Sequence, residues 1–465
     1  MTRLAYAPLL PLLLLAGCTV GPKYQRPAVP VPGDYRGSTT APAAASLADR
    51  KWGELFQDET LKQLIASALQ QNFDLALAAE RVEAARAQFR ITGANRYPFL
   101  YAEAQFAGNR PSLIGANRMV PSGSLDTSYT TAGGALSWEL DLWGRVRRLT
   151  ESARAQYLAT EEARRGVVVS LIADVADTYF ALRERDLELS IAGSTRDIAA
   201  RNLELVRARH DHGAATGLDV HQAEEFLYTA TAQIAATTRD IGQTEDALSL
   251  LLGRAPSDVA RGKPVDDYGL PPDLPPGLPS SLLERRPDIR AAEQQLISAN
   301  AQIGVAKAYY FPQISLTGFL GGQSRALGQL FTGPARDWFL SPAAAMPIFN
   351  AGQVRVAVRL SESQKRQMVL AYRKAVYSAF REVSDALIAY RHTRDQRRQQ
   401  DQLVHALEET TRLSDLRYRG GMDSYLQVLV SERALFQGRL ALAQLRLQEL
   451  LSFVQLYRAL GGGWQ

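Results

Sequence analysis

Apolar and polar residues recur along this chain with two different periods, and each period predicts a different element. Residues 145–212 contain no proline, and their apolar side chains recur at helical spacing; residues 353–420 repeat the pattern. At about 1.5 Å per residue, each segment predicts one helix of roughly 100 Å. The stripe of the first segment indicates core packing, and it comprises Val168, Leu171, Ile172, Val175, Tyr179 and Leu182.

Shorter helical patterns fill much of the remaining chain. They cover residues 60–96, 218–252, 281–310 and 424–460. The first two together have about the length of one long helix, and so do the last two. Half-length helices stacked end to end would therefore lie beside the long ones in an elongated antiparallel bundle.

A strict alternation of apolar and polar residues predicts β-strands between the helices. In residues 136–142, leucines and a tryptophan fall on one face, while Glu139 and Asp141 fall on the other. Each strand has the length of a tilted membrane span, although a half-buried soluble sheet would show the same alternation. We interpret Glu103, Glu139 and Asp141 as polar strand residues that face the lumen of a barrel. The predicted strands lie near 99–108, 129–142, 312–322 and 338–349.

The order of elements occurs twice because the sequence itself is repeated. Asp288 lies 214 positions after Asp74, and Gly352 lies 208 positions after Gly144. A period of this length indicates a duplicated domain-sized unit, since solenoid repeats are only about 20–50 residues long. The predicted organisation is a first repeat over 60–253, a linker or equatorial region over 254–280, and a second repeat with the C-terminal segment over 281–465.

The N-terminus has the pattern of a bacterial lipoprotein signal. Arg3 precedes an apolar stretch, and Leu15, Ala16, Gly17 and Cys18 form a lipobox. We predict a signal peptide over 1–17 and a covalent diacylglycerol and N-acyl lipid on Cys18; the alternative is an ordinary signal peptide with an incidental cysteine. Thr19 follows the cysteine where many lipoproteins retained at the inner membrane have an aspartate. The resemblance to sorted lipoproteins therefore favours the outer membrane. The lipidated N-terminal tether covers 18–59, and its proline-rich part, 19–46, suits an extended linker.

Composition and charge narrow the function classes. The 465 residues are 46% hydrophobic and 22% charged, and the 53 Lys+Arg against 48 Asp+Glu are scattered along the predicted helices. Nucleic acid as a partner is therefore weakly supported. Beyond the signal, no stretch of about 18 apolar residues predicts a transmembrane helix. The sequence has no GxSxG, HExxH or paired-cysteine motif, so we expect neither an enzyme nor a cofactor besides the lipid.

Histidines and aspartates gather where the first long helix ends. His210, His212 and His221 lie near Asp211 and Asp219, which are residue types that bind metals. Positions two apart do not share a helix face, and polar side chains are expected on an exposed turn. We therefore assign no metal site.

Four membrane-length strands cannot close a barrel in one chain. About eight is the practical minimum, and an open edge in lipid leaves backbone groups unsatisfied. We therefore expect an oligomeric α+β membrane protein. Three chains would form a trimeric twelve-stranded β-barrel, four strands per chain, continued by a long α-helical barrel; a dimer or a tetramer satisfies the closure argument too.

Over residues 18–465 the chain resembles the TolC-like outer-membrane factors, in particular the lipoprotein branch of the OprM/NodT type. The resemblance is carried by "KWGELFQDETLKQLIASALQQNFDL", "WELDLWGRVRR", "LLERRPDIRAAEQQLISANAQIGVAKAYYFPQISLTGFLG" and the terminal "LGGGWQ". It implies a homotrimeric outer-membrane channel with a periplasmic helical tunnel. It also implies docking on a periplasmic membrane-fusion adaptor and an inner-membrane pump, usually proton-driven, to expel drugs, solvents or metals.

The chain reverses at "RHDHGAATGLDV" and at "RYRGGMDSYLQV", where glycines permit tight turns. The resemblance implies that both turns contact the adaptor and that the second lines the closed end of the tunnel. The residues assigned to adaptor contact are Gly213, Thr216, Gly217, Leu218, Asp219, Gly420 and Gly421.

The resemblance also assigns a periplasmic gate. The residues carried over to it are Asp423, Tyr425, Leu426, Val430, Arg417 and Arg419. Leu426 would be an apolar ring residue, and the two arginines would be charged latches. Val430 stands where related chains often have an aspartate, which favours an apolar gate. Alternatively, Asp423 and the arginines merely solvate a turn.

Two other functions stay open at this point. One is a structural coiled-coil lipoprotein anchored only by its acyl chains, which four alternating strands at matching points of the repeats argue against. The other keeps the channel but assigns it to type I protein secretion. The sequence does not identify the cargo, because a wide duct with polar walls imposes little chemistry.

Overall fold

The computed structural model describes residues 19–38, 46–110, 127–270 and 275–462. The predicted signal peptide and the predicted lipid site Cys18 lie outside these ranges. The described residues divide into two compact units. The first falls within Met1–Pro27, Val82–Thr160 and Ala292–Tyr372, and the second within Ala28–Arg81, Glu161–Ala291 and Arg373–Gln465.

Long helices dominate the described residues. The α-helices are α1 (Trp52–Leu55), α2 (Glu59–Gln71), α3 (Phe73–Ala94), α4 (Arg145–Asp211), α5 (Gly217–Leu251), α6 (Leu282–Arg285), α7 (Pro287–Ala308), α8 (Gln353–Arg419) and α9 (Tyr425–Ala459). Short 3-10 helices cover Leu47–Asp49, Val265–Asp267, Pro279–Ser281, Leu327–Gln329 and Gly333–Ala335. Helices α4 and α8 have 67 residues each and coincide with the two long helices that the sequence predicts. Within the described ranges, none of the helices is both long and apolar enough to cross a membrane.

The first unit contains one antiparallel sheet with the strand order β1-β2-β3-β4. Its register pairs Leu100 with Leu136, Trp138 with Leu316 and Leu320 with Trp338. Since side chains of paired residues lie on the same side of a sheet, these apolar residues share one face. The strands are β1 (Phe99–Asn109), β2 (Thr127–Leu140), β3 (Gln313–Ser324) and β4 (Arg336–Ala345).

The strand ends differ from the predicted ones by up to four residues, and two of the differences have a consequence. β4 ends at Ala345 and not near 349, because Pro347 has no N–H to donate to a ladder. β2 ends at Leu140, so Asp141 is not a strand residue. The prediction of Asp141 as a lumen-facing strand position is therefore wrong.

The segment after Cys18 is extended, as predicted, but it is bound to the folded body. In the first unit, the Val20 amide donates to the Trp143 carbonyl at 3.0 Å, and Arg148 donates to the carbonyl of Val20 at 3.1 Å. Arg26 donates to both carboxylate oxygens of Glu293, at 2.7 and 2.6 Å. The predicted extended tether is therefore attached to the folded body at Val20 and Arg26, which composition alone does not report.

Two predicted helices are interrupted in the second unit. The pattern over 60–96 divides at Asn72, and the pattern over 281–310 divides at Arg286. Asn72 is extended, and its side-chain oxygen accepts from the Leu75 amide at 3.0 Å, which caps α3. Arg286 precedes Pro287, which disfavours helical geometry in the residue before it.

Both interruptions are places where half-length helices meet end to end. The side-chain nitrogen of Asn72 donates to the Leu251 carbonyl at the end of α5, at 2.9 Å. The Arg286 guanidinium donates to the Ala459 carbonyl at the end of α9, also at 2.9 Å. Gly253 follows α5 with φ +70°, and a Cβ there would lie 2.1 Å from the Gln71 carbonyl oxygen. Only glycine allows this close approach.

The second unit has an apolar core around α2 and α4. The sequence-predicted residues Ile172, Val175, Tyr179 and Leu182 are all fully or almost fully buried. Asp58 lies at the edge of this core and is 2% exposed. Its carboxylate binds part of the predicted linker, residues 254–280, to the helices. It accepts from Tyr179, Tyr268 and the Lys263 amide. The segment between the repeats is therefore packed against the helices.

Candidate functional site

The first turn, residues 212–216, joins α4 to α5. Gly213 has φ +72°, the left-handed conformation that closes a helix, and the Ala214 amide donates to the Arg209 carbonyl at 2.7 Å. Thr216 and Asp219 form a capping box, in which each side chain accepts from the backbone amide of the other. Leu218 is exposed on the first turn of α5. This turn is therefore held at both helix ends.

The second turn, residues 420–424, joins α8 to α9. It has the same backbone conformation as the first turn, but the helix that follows it begins with a different N-cap. Gly421 has φ +73°, and the Met422 amide donates to the Arg417 carbonyl at 2.9 Å. Ser424 precedes α9 and makes no side-chain cap. Gly217 and Gly420 were predicted, with the other two glycines, to permit the tight turns, but neither has a positive φ. Only Gly213 and Gly421 are fixed by the turn geometry.

The structure brings Arg417 and Asp423 together across the second turn. The guanidinium donates to both carboxylate oxygens of Asp423, at 2.5 and 3.1 Å. Through these hydrogen bonds Arg417 holds the pKa of Asp423 below its usual value. Arg419 does not join them, because it donates to Asp415 on α8 at 2.9 Å. A cleft of about 370 Å³ adjoins the pair, lined by Thr410, Leu413, Ser414, Arg417, Asp423, Ser424 and Gln427.

The apolar gate residues divide into two groups. Leu426 is 51% exposed and Val430 is 53% exposed, and residues four apart lie on one face of a helix. Tyr425 is only 3% exposed, and its ring packs 5.6 Å from that of Tyr418. The assignment of Tyr425 to the gate is therefore wrong for this conformation, because its side chain faces the core between the helices. Leu426 and Val430 remain the predicted gate face.

Arg209 joins the two turns and was not predicted from the sequence. Its guanidinium donates to the carbonyls of Tyr418 and Arg419, at 3.2 Å each, and lies 4.3 Å from the centre of the Tyr418 ring. It thus supplies donors to the last carbonyl groups of α8, which have no helical partner. The sequence shows a basic residue in the last turn of α4, but it does not show that this residue binds the end of another helix.

The predicted lumen residues have different surroundings. Glu103 lies exposed in β1. Glu139 in β2 accepts from Arg145 at 2.8 and 2.5 Å. The Asp141 carboxylate accepts from the amides of Val146 and Arg147, at 3.0 and 2.8 Å. Asp141 therefore caps the N-terminus of α4, where its charge also suits the helix dipole.

The histidines of the first turn are not gathered. His221 lies 3.0 Å from Glu224, one turn further along α5, and His210 lies 3.6 Å from Asp211. Among the described residues, no three histidine, cysteine, aspartate or glutamate side chains come together in a metal-binding arrangement.

The chain is similar to known outer-membrane proteins over almost its whole length. The solvent efflux pump outer membrane protein SrpC of Pseudomonas putida is 40% identical over 465 residues, and the match covers 98% of each chain. The cation efflux system protein CusC of Escherichia coli is 36% identical over 458 residues, which cover 97% of each chain. The open state of the MtrE outer membrane channel of Neisseria gonorrhoeae matches with a TM-score of 0.87 at 33% identity, covering 96% of this chain and 99% of that one.

A family profile gives the same result. The profile described as outer membrane efflux protein matches residues 64–254 and 278–462, and so spans most of the described chain. Both helical turns and all four strands lie within the matched segments. The chain therefore belongs to the outer membrane efflux protein family.

Proposed function

We propose that this chain is the outer-membrane exit duct of a tripartite efflux system and that it acts as a homotrimer. The observation that carries the proposal is the match of the whole chain to outer-membrane efflux proteins in both sequence and fold. In this assembly the duct is passive, and a periplasmic adaptor connects it to an energised inner-membrane pump, which we take to be proton-driven.

The sheet supports the oligomer. β1 and β4 are its outer strands, and among the described residues each pairs with one neighbour only. In lipid, the unpaired backbone N–H and C=O groups of an edge strand have no water to bind. They therefore require pairing with strands from other chains. Three copies then form a barrel of twelve strands with no edge. The shared apolar face of the sheet, with exposed residues such as Leu100, Leu320 and Trp338, suits contact with lipid.

Exposed apolar residues on α8 support the same assembly. Val356, Leu360, Leu370 and Tyr377 are each at least half exposed in the single chain. Apolar residues at this density on a helix face favour burial against another surface. In the trimer that surface belongs to a neighbouring copy, and the long helices continue the barrel as a tube in the periplasm.

The proposed lipid anchor on Cys18 is supported by the contacts of the two residues that follow it. A Cβ on Gly144 would lie 2.8 Å from the Thr19 side chain, and Val20 is hydrogen-bonded to Trp143. Both contacts lie between the end of β2 and the start of α4. A lipid on Cys18 would therefore enter the membrane beside the strands.

The gate proposal concerns the second turn. Leu426 and Val430 form an apolar face that, repeated three times around the axis, narrows the periplasmic end of the tube. The pair Arg417–Asp423 acts as a latch that keeps the turn in this conformation. The adaptor binds at the first and second turns, where Leu218 and Met422 are exposed and Asp219 is half-buried.

The cargo class is suggested by the relatives. Their names refer to solvent, toluene, antibiotic and cation efflux. These compounds share little chemistry, so we assign substrate choice to the pump, and we propose that this duct passes small toxic compounds from the pump without selecting among them.

A deletion strain tests the function. Removal of the gene should raise susceptibility to solvents, dyes, antibiotics or metal salts, and expression of the wild-type chain should restore resistance. A Cys18→Ser variant should lose metabolic labelling with palmitate. Unchanged susceptibility to all four classes, combined with loss of a protein from the culture medium, would instead assign the duct to type I secretion. Neither phenotype, with the chain present in the outer membrane, would leave only a structural lipoprotein.

A further inference from the structure

A buried carboxyl group lies between the two helical hairpins of the second unit. Glu432 on α9 is 7% exposed, and its Oε1 accepts from the Asn202 side chain on α4 at 2.5 Å. Its Oε2 is buried and has no hydrogen-bond partner among the described residues. One side chain of α4 is thus linked directly to an acid of α9, two turns of helix beyond the start of α9.

The surroundings of Glu432 are mostly apolar. On its own helix Tyr425 and Leu429 are buried, and on α5 the Phe226 ring is buried against α9. The charged groups near it are partnered elsewhere. On α8, Asp415 pairs with Arg419 at 2.8 Å. The next residue on α9, Arg433, pairs with Glu225 of α5 at 2.8 Å.

Among the residues that the structure describes, no ion pair compensates a charge on Glu432. The buried environment disfavours the ionised form, and the negative charge of Asp415 disfavours it further. The hydrogen bond from Asn202 offsets part of this effect. Together these influences raise the pKa of Glu432 from its ordinary 4.5 to about 7. The protonated acid has an O–H on one oxygen and still accepts from Asn202 with the other.

We propose that Glu432 is a proton-dependent clasp, which holds α9 against α4 while it is protonated and loosens this contact when it ionises. The start of α9 carries the second turn, so the clasp adjusts how easily that turn moves. Its consequence for conduction rests on the proposed function, whereas the loosening of the helices does not.

The direction and size follow from linkage. Since the packed form binds the proton more tightly than the loosened form, packing is most stable in acid and weakens as the pH rises through the raised pKa. With an ordinary value of 4.5 and a packed value of about 7, the equilibrium for loosening increases about tenfold between pH 6 and pH 8. The whole change spans the interval between the two pKa values, 4.5 and about 7, and it is nearly complete at pH 8.

Amide hydrogen exchange of the full chain in detergent tests the clasp. The peptide covering Tyr425–Gly438 is followed by mass spectrometry at pH 6 and pH 8, with rates corrected for the intrinsic effect of pH. In the wild type, we expect protection of this peptide to fall about tenfold over the interval. Glu432→Gln, which keeps the size but cannot ionise, should abolish the change. Glu409→Gln, at an exposed acid on α8, should behave as the wild type does.

A second variant keeps the test independent of how well Glu432→Gln packs. Asn202→Ala removes the hydrogen bond that favours the ionised carboxylate, so the pH at which protection falls should move upward. The proposal is overturned if the wild type shows no pH-dependent loss, or if Glu432→Gln retains it. It is likewise overturned if Asn202→Ala moves the transition downward or not at all. Conductance is measured separately, so a chain that forms no channel can still confirm or refute the clasp.

Discussion

Replacement of Asp58 by alanine tests whether the segment between the repeats is packed as the structure indicates. The carboxylate is almost fully buried, and its Oδ2 accepts from the Tyr179 hydroxyl at 2.9 Å, from the Lys263 amide at 3.0 Å and from the Tyr268 hydroxyl. Its Oδ1 caps α2 by accepting from the Thr60 amide at 2.8 Å. Asp58→Ala leaves all these donors without their acceptor.

The expected loss follows from the contacts. Loss of a helix N-cap costs about 1 kcal/mol. A hydrogen bond to a charged group contributes about 1.5–3 kcal/mol, and Asp58 receives two from tyrosine hydroxyls. Water that enters the space vacated by the carboxylate replaces part of the lost hydrogen bonding. We therefore expect Asp58→Ala to lower the free energy of unfolding by about 4 kcal/mol. Tyr268→Phe, which removes one donor, should cost about 1–2 kcal/mol.

The assay is denaturant unfolding of the full chain in detergent, followed by far-UV circular dichroism. Asp74→Ala, at an exposed acid of α3, is the matched control and should stay within about 0.5 kcal/mol of the wild type. A loss below about 1 kcal/mol for Asp58→Ala would refute the packing of the linker on Tyr179 and Tyr268.

The effect of pH on this contact has a defined sign. Burial by itself would raise the pKa of Asp58, but the hydrogen bonds from Tyr268, Tyr179 and the Lys263 amide outweigh burial and lower it below the ordinary 3.8. The stabilisation is therefore present above pH 3.8 and is lost as the pH falls through the lowered pKa. The difference between wild type and Asp58→Ala should be constant from about pH 5 to pH 8 and should narrow only in stronger acid.

Three further predictions concern the turns and the helix junction. Leu426→Ser should raise the conductance of the isolated channel, while Leu218→Ser, at the corresponding position of the first turn, should not; equal conductance in wild type and Leu426→Ser removes this leucine from the constriction. Gly421→Ala should destabilise the second turn by about 1–2 kcal/mol, because it forces a left-handed conformation on a residue with a Cβ. Gly420→Ala should be tolerated, and equal proteolytic cleavage of the two variants at the turn would contradict the assignment. Asn72→Ala should lower the free energy of unfolding by about 1–2 kcal/mol through loss of the α3 cap and the bond to α5; an unchanged denaturation midpoint would exclude this role.

Much of the fold could be predicted because the elements are long and regular. The helices over residues 145–212 and 353–420 had no proline, and their periodicity extended over many turns, so they were predicted within one residue of their observed ends. The strands followed from alternation, which depends only on neighbouring residues. End-to-end stacking followed from length alone, but the side chains at the junctions, Asn72 and Arg286, were not foreseen.

The errors occurred where a side chain's partner lies far away in sequence. Asp141 continued the alternation of β2, but the backbone had already turned, and its carboxylate caps a helix. Tyr425 lies beside Leu426 in sequence, yet only the packing against Tyr418 shows that the tyrosine is buried while the leucine is exposed. Pairings such as Arg209 with the end of α8 depend on how helices are arranged in space, which periodicity does not specify.

Recording from planar lipid bilayers tests the central claim most directly. Purified wild-type chain should form trimers in mild detergent and should insert to give discrete, uniform conductance steps, each corresponding to one trimer. Denatured and refolded monomer should give none. A chain that is monomeric after gentle extraction and produces no conductance steps at any protein concentration would contradict the account of a duct closed by several copies.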